Sequence, residues 1–131
     1  LAVTGVQTCA LPIWKIMIVA EGLLYYFDPE KVTSLMNLLV KHFHGADLLI
    51  EVANTKMVAT CHRYSALKEM GLTFQWGIDD FAAIEKISPK LHFIQEYYLY
   101  NRFRYRWKYY AALHFIPWMK KSLRIIHLNI T

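Results

Sequence analysis

Two β-prone segments flanking one amphipathic helix constrain the fold of this chain most. Residues 15–20 read Lys-Ile-Met-Ile-Val-Ala, and such a run, apolar at both odd and even positions, is typical of a strand covered on both faces. A helix follows, with Asp28 as its N-cap and Pro29 as its first residue. Residues 46–52 form the second apolar run. Because a helical crossover joins parallel strands in a right-handed unit, the sequence predicts an α/β fold.

The helix between these strands carries one continuous apolar stripe. Its members recur at helical spacing, as expected for a face packed on a sheet: Val32, Leu35, Met36, Leu39, Val40 and Phe43. Gly45 follows the last of them and predicts the end of the helix.

The rest of the chain predicts shorter elements and a single domain. They are helices over 62–70 and 81–87, a strand over 91–99, a helix within 102–121 that is broken at Pro117, and a strand over 123–130. No internal repeat and no low-complexity linker divides the chain.

The N-terminal residues resemble a translated sequencing adapter rather than natural protein sequence. Residues 3–13 match the in-frame translation of a common sequencing-library adapter, with the junction at Trp14. We therefore expect residues 1–13 to be adapter-derived and residues 14–131 to be the protein's own sequence, with its true start upstream.

Composition narrows the class of protein. No apolar run reaches the ~18–20 residues of a membrane span, so no span is predicted. Cys9 lies in the adapter match, which leaves Cys61 as the one cysteine of residues 14–131 and favours a reducing, cytoplasmic setting. Residues 101–131 hold seven Lys and Arg and no acid, whereas residues 14–100 hold eight Lys and Arg and ten acids. The basic excess therefore belongs to the last quarter of the chain.

Several segments together resemble one enzyme family. The stretch Ile18-Val-Ala-Glu-Gly-Leu-Leu-Tyr-Tyr-Phe27, the helix start at residues 28–30, the strand over 46–52 and the segment Phe74-Gln-Trp-Gly-Ile-Asp-Asp80 agree in order and spacing. They resemble the S-adenosylmethionine-dependent class I methyltransferases of the leucine carboxyl methyltransferase and polyketide O-methyltransferase group. The resemblance implies a truncated Rossmann-like fold, with strands four to seven of the parent sheet and the last strand antiparallel.

The same resemblance implies where a cofactor would bind. The Gly-rich turn and the acidic residue that hold the cofactor in the first half of such enzymes have no counterpart here. Glu21, at the carboxyl end of the first strand, matches a family residue that contacts the cofactor, and Gly22 would permit a tight turn beside it. From the residues alone, Glu21 could instead cap a neighbouring turn.

A substrate pocket is expected beside that site. Tyr26 matches the family's aromatic position facing the methyl acceptor, with Tyr25 next to it, although either ring could equally be part of the core. Asn54 follows the second strand at the matching sheet edge and completes the pocket.

The resemblance implies an O-methyltransferase that uses S-adenosylmethionine and a small-molecule acceptor with a hydroxyl or carboxylate group. Leucine carboxylate, a small-molecule hydroxyl and a polyketide phenol all stay open as acceptors. No catalytic base is assigned, because alignment of acceptor and methyl group supplies most of the acceleration.

Other side-chain groups are weaker candidates. His42 and His44 look like a metal pair, but no further ligands complete a tetrahedral set, so no metal is predicted. Cys61 and His62 are adjacent, and adjacent side chains rarely converge on one substrate atom.

The alternative class is a small basic binding module over residues 101–121. The run Asn101-Arg-Phe-Arg-Tyr-Arg-Trp-Lys-Tyr-Tyr110 alternates cations with rings, as do surfaces that track nucleic acid or lie in a membrane interface. A connecting helix whose rings pack on the sheet, with Arg and Lys reaching water, is the favoured explanation of the run, so nucleic acid is not the favoured partner.

Overall fold

A computed structural model of the chain describes residues 15–63, 65–99 and 115–131. The strands are β1 (Met17–Ala20), β2 (Asp47–Ala53), β3 (Leu91–Tyr98) and β4 (Leu123–Ile130). The helices are α1 (Pro29–His42), α2 (Thr55–Thr60), α3 (Ser65–Glu69), α4 (Ala82–Glu85) and α5 (Pro117–Lys120). Short 3-10 turns cover Leu24–Tyr26 and Cys61–Arg63.

The described strands form one sheet in the order β1-β2-β4-β3. β1 pairs with β2 in parallel, with Met17 opposite Asp47 and Ala20 opposite Ile50. β4 runs antiparallel to both of its neighbours. This arrangement confirms the α/β fold, the parallel strand-helix-strand unit and the antiparallel last strand.

α1 begins and ends as its sequence predicts. The Asp28 side chain accepts a hydrogen bond of 2.8 Å from the Lys31 amide, and Pro29 opens the first turn. Gly45, at a φ of +77°, turns the chain back, and its amide donates to the Ile130 carbonyl at 2.7 Å. The helix is therefore fixed to the sheet at its carboxyl end as well as along its apolar face.

The core lies in two clusters that share β2. The larger cluster joins the α1 stripe to one face of the sheet, with Val32, Met36, Val40, Leu48, Ile50, Val52, Ile126, Leu128 and Ile130 among its members. The smaller cluster holds Tyr25, Ala53, Cys61 and Phe74. Since alternate residues of a strand face opposite ways, Val52 and Ala53 belong to different clusters.

The helix predicted over 62–70 was wrong at its start. α2 begins at Thr55, because Asn54 caps it by accepting a 2.7 Å hydrogen bond from the Met57 amide. The 3-10 turn over Cys61–Arg63 then separates α2 from α3. α3 ends before Gly71 as predicted, and Gly71 itself adopts a φ of +65°. An Asn placed directly after a strand was the missed start signal.

Two other elements differ from expectation in extent. α4 covers four residues rather than 81–87, because the Ile87 amide bonds to the carbonyl of Ile84 in a tight turn. Pro117 is the first residue of α5, a position that proline favours, and the part of the predicted helix that precedes Phe115 lies outside the described residues. The interpretations of residues 1–13 and 101–114 lie outside the described residues.

β1 is one of the two edge strands of the described sheet, and one of its faces is exposed rather than covered as the sequence predicted. In the described part of the chain β1 pairs only with β2, and the side chains of Met17 and Val19 are 59% and 61% exposed. An apolar strand with an unpaired edge is a template for association with another chain.

The first prediction concerns this strand. The chain should self-associate, and Val19→Lys should weaken association about ten-fold, because burying a valine contributes about 1.5 kcal/mol and lysine disfavours edge pairing. Sedimentation velocity over a range of concentrations measures the effect. Leu38→Lys, on the exposed face of α1, is the control for added charge. A monomeric wild-type chain, or an equal effect at Leu38, would contradict the prediction.

Candidate functional site

The carboxyl ends of β1 and β2 lie side by side. β1 ends at Ala20 and is followed by Glu21, while β2 ends at Ala53 and is followed by Asn54. The parallel register puts Ala20 opposite Ile50, so that Glu21 lies level with Glu51. Open α/β sheets bind ligands at this edge. The structure therefore brings Glu21, Gly22 and Asn54 to one edge of the sheet, where the sequence placed them.

Glu21 projects from the turn after β1. Its side chain is exposed and, within the part of the chain that the structure describes, accepts no hydrogen bond. Gly22 follows at a φ of +63°, a left-handed conformation that residues with a Cβ rarely adopt. The glycine thus turns the chain between β1 and the buried Leu24, and the Glu21 carboxylate stays exposed to a ligand.

Glu51 is a buried carboxylate directly beneath this turn. It is 8% exposed, and its Oε2 accepts a 2.7 Å hydrogen bond from the Gly22 amide. The Tyr25 hydroxyl lies 3.5 Å from the same oxygen, at the outer limit for a hydrogen bond. Burial raises the pKa of the Glu51 carboxyl and the charge of Glu21 raises it further, while the bonds from Gly22 and Tyr25 oppose the shift.

Three aromatic rings pack together next to Glu51, which the Tyr25 hydroxyl approaches. The ring centroids of Tyr25 and Tyr26 lie 4.4 Å and 5.3 Å from that of Phe74. Tyr25 is buried, and burial, followed by the charge of Glu51, raises the pKa of its hydroxyl above the usual range. Tyr26 is half-buried. The two tyrosine rings therefore lie against each other at this edge, and Tyr26 is the more accessible.

Asn54 uses its side chain within the protein. Its oxygen caps α2, and its Nδ2 donates to the Trp118 carbonyl at 3.0 Å. The residue is 6% exposed. Asn54 thus ties β2, α2 and α5 together at the sheet edge, and its contact with a substrate stays a prediction.

The segment Phe74–Asp80 lies across the end of β2. The Ile78 amide donates to the Ala53 carbonyl at 2.8 Å. A Cβ on Gly77 would lie 2.8 Å from that same carbonyl oxygen and 2.6 Å from the Val58 side chain. Only glycine lets the two backbones approach this closely, which gives the glycine of the quoted motif a packing role.

A buried arginine holds the end of that segment. Arg124, in β4, donates to the carbonyls of Ile78 at 2.7 Å and Asp79 at 3.1 Å, and to the Glu96 carboxylate at 3.0 Å. The Asp79 carboxylate in turn accepts from the amide and hydroxyl of Thr55 at the start of α2. These hydrogen bonds lower the pKa of Asp79. A chain of polar contacts therefore runs from the sheet to the residues that follow β2.

The edge offers a hydrogen-bond acceptor and aromatic surface. The exposed Glu21 carboxylate can bind hydroxyl or ammonium groups of a ligand, and the partly exposed Tyr26 ring, backed by the buried Tyr25, supplies apolar surface. Sequence reasoning missed Glu51. An acid inside the apolar strand of residues 48–53 was the available signal, since a buried charge needs a partner.

The remaining candidates do not form a site in the described residues. His42 and His44 are exposed, and within residues 15–63, 65–99 and 115–131 no cluster of three or more His, Cys, Asp or Glu side chains could hold a metal ion. The Cys61 thiol is buried and accepts from the Phe74 amide at 3.3 Å. No helix within those ranges is both long and apolar enough to cross a membrane.

The chain resembles solved structures although no family model and no curated protein matches it. It aligns with a DUF574 family protein from Streptomyces avermitilis MA-4680 at a TM-score of 0.58 and 7% identity, covering 90% of this chain and 45% of that one. The fold is therefore shared with that protein. The chain spans about half the length of the structures that it matches.

Two further similarities are lower. The N-methyltransferase NodS from Bradyrhizobium japonicum WM9, in complex with S-adenosyl-L-homocysteine, aligns at a TM-score of 0.48 and 14% identity over 88% of this chain and 47% of that one. A second structure of NodS aligns at 0.45 and 13% identity over 89% and 52%. Similarity at this level supports no inference about the present chain.

The second prediction tests the close approach at Gly77. Gly77→Ala should lower the free energy of unfolding by about 3 kcal/mol, because backbone on the facing side cannot move away from the new methyl group. Gly71→Ala, where a Cβ would meet open space, should cost only the backbone strain of about 1 kcal/mol. Urea denaturation measures both. Equal losses would show that the contact with β2 is not what selects glycine.

The third prediction concerns the charge of Glu51. The folded-state pKa lies above the unfolded value, so the unfolded chain releases the proton first and stability falls as pH rises from the unfolded pKa to the folded one. Glu51→Gln should remove this loss of stability with rising pH and should raise the free energy of unfolding at neutral pH. Denaturation at a series of pH values checks it. A variant less stable than the wild type at neutral pH would contradict the prediction.

Proposed function

We propose that residues 14–131 are the carboxyl-terminal half of an S-adenosylmethionine-dependent O-methyltransferase, preceded by an adapter-derived segment over residues 1–13. The acceptor is a small molecule with a hydroxyl or carboxylate group. The observation that carries the proposal is the open Glu21 carboxylate at the carboxyl edge of two parallel strands, beside the Tyr25 and Tyr26 rings.

Sequence and topology support the proposal independently. Two of the segments that resemble class I methyltransferases meet at one edge of the sheet, namely the turn that follows β1 and the segment across the end of β2. The antiparallel last strand also agrees with what the resemblance implied. Neither agreement depends on the identity of the acceptor.

The residues at the edge fit the cofactor's polar groups. S-adenosylmethionine carries an ammonium and ribose hydroxyls, all of which donate hydrogen bonds. Glu21 offers a carboxylate with both oxygens available among the described residues. Gly22 lets the backbone turn without a side chain in the way. We assign Glu21 and Gly22 to cofactor binding.

In this mechanism the residues of the chain bind the cofactor and align the acceptor with its methyl group. S-adenosylmethionine supplies a methyl group on a sulfonium, whose sulfur is the leaving group. Glu21 anchors the cofactor by accepting its hydrogen bonds, and the Tyr25 and Tyr26 rings exclude water and orient the acceptor. Asn54, whose side chain bonds to the Met57 amide and the Trp118 carbonyl, borders the acceptor pocket from the neighbouring strand and supports its shape, and no side chain is assigned as the base.

The proposal is tested on the full-length protein. Recovering the sequence upstream of residue 14 from the source genome should supply a strand, a Gly-rich turn and a helix in place of residues 1–13. Calorimetry should then detect S-adenosylmethionine binding, and assays with hydroxyl, carboxylate and amine acceptors should show transfer to oxygen. A genomic read that encodes residues 3–13 as they stand would contradict the adapter assignment, and absence of cofactor binding would contradict the function.

The fourth prediction concerns Glu21 in that protein. Glu21→Ala should weaken S-adenosylmethionine binding by about 1–3 kcal/mol, the cost of leaving a polar partner unpaired. Isothermal titration calorimetry measures it. Glu30→Ala removes another exposed acid, at the start of α1, and should leave binding unchanged. Unchanged affinity in Glu21→Ala would rule out the cofactor role.

A further inference from the structure

We propose that Glu51 is a positioning residue of this cofactor site, and that it acts by holding the Glu21–Gly22 turn through the Gly22 amide. The inference rests on the proposed function. It assigns Glu51 no contact with cofactor or acceptor.

The contact joins two strands at their carboxyl ends. Glu51 lies in β2, whereas Gly22 lies just beyond β1, 29 positions earlier in the chain. The backbone pairing of β1 with β2 reaches only Ala20 opposite Ile50. The 2.7 Å bond between the Glu51 carboxylate and the Gly22 amide therefore extends the link between the strands past the last paired residues.

The turn needs such a link because it contains a glycine. Gly22 adopts a φ of +63°, but an unrestrained glycine populates many backbone conformations about equally. A short hydrogen bond to its amide selects one of them. Since Glu21 directly precedes Gly22, the same bond sets the direction in which the Glu21 carboxylate points.

A second, longer contact reaches the Glu51 carboxylate from Tyr25, three residues beyond Gly22. The Tyr25 hydroxyl approaches the same Oε2, and the Tyr25 carbonyl accepts a 2.7 Å hydrogen bond from the Gln75 amide. Glu51 thus connects the Glu21–Gly22 turn to Tyr25, which is itself fixed to the segment across the end of β2.

The identity of residue 51 is explained by this role rather than by packing. It is 8% exposed within a strand whose other residues from 48 to 53 are apolar. Burying a carboxylate is costly unless hydrogen bonds compensate, so an apolar residue would serve stability better. An apolar residue at position 51 would offer no hydrogen-bond acceptor to the Gly22 amide.

Two variants of similar size separate the acceptor from the charge. Glu51→Gln keeps a side-chain oxygen that can accept from Gly22 and removes the charge. Glu51→Met keeps the length of the side chain, suits the buried position and removes the acceptor. Glu69→Met, at an exposed position in α3, is the matched control.

The experiment measures kinetics and hydrogen exchange on the full-length protein. Glu51→Met should raise the KM for S-adenosylmethionine about ten-fold with kcat within about two-fold, and should speed exchange of the Gly22 amide about ten-fold. Glu51→Gln should keep both KM and exchange within about three-fold of the wild type. Rescue by Gln and the split between KM and kcat are effects that a general loss of stability would not produce.

Several results would overturn the inference. An unprotected Gly22 amide in the wild-type protein would do so without any variant, and therefore decides the matter even if Glu51→Met does not fold. An unchanged KM in Glu51→Met, or equal losses in the Gln and Met variants, would also do so. Absence of S-adenosylmethionine binding by the wild type would overturn the proposed function itself, whereas binding with an unchanged KM in Glu51→Met overturns this inference alone.

Discussion

Pairing of β2 on both of its edges is the constraint on which the described structure depends. β2 bonds to β1 in parallel and to β4 in antiparallel fashion, and most of its side chains are buried. Backbone groups in such a strand have no access to water and must bond to neighbouring strands. β1 and β4 satisfy those groups along the two edges of β2, while the apolar stripe of α1 covers one face of the sheet.

The same strand explains why polar residues gather at one edge. Where β2 ends, its backbone groups need new partners, and these come from the segment before Asp79 and from α2, which Asn54 caps. Arg124 fixes that segment to the sheet through two carbonyl groups and the Glu96 carboxylate. The polar contacts are thus a consequence of ending a buried strand. Glu21 is the exception, because its carboxylate is not used by any of them.

The sequence predicted which residues of the candidate site follow a strand end, but it did not predict which distant groups they contact. Glu21 and Asn54 were placed at one edge because each follows an apolar run, and parallel strands bring their carboxyl ends together. Glu51 escaped prediction because its partner, the Gly22 amide, is far away in the chain. The use of both Asn54 side-chain atoms in capping and in the contact with Trp118 likewise depends on elements that the sequence does not show to be adjacent.

Local patterns determined the α/β class, the start of α1 at Asp28 and the turn at Gly45, because caps and apolar periodicity act over one or two helical turns. These local patterns gave the wrong start for α2, because an Asn directly after a strand was not recognised as a helix cap. The order of the strands, the buried Arg124 contacts and the Glu51–Gly22 bond were decided by tertiary structure. Each of these joins residues that are distant in sequence, and only the burial of β2 between its neighbours brings them within hydrogen-bonding distance.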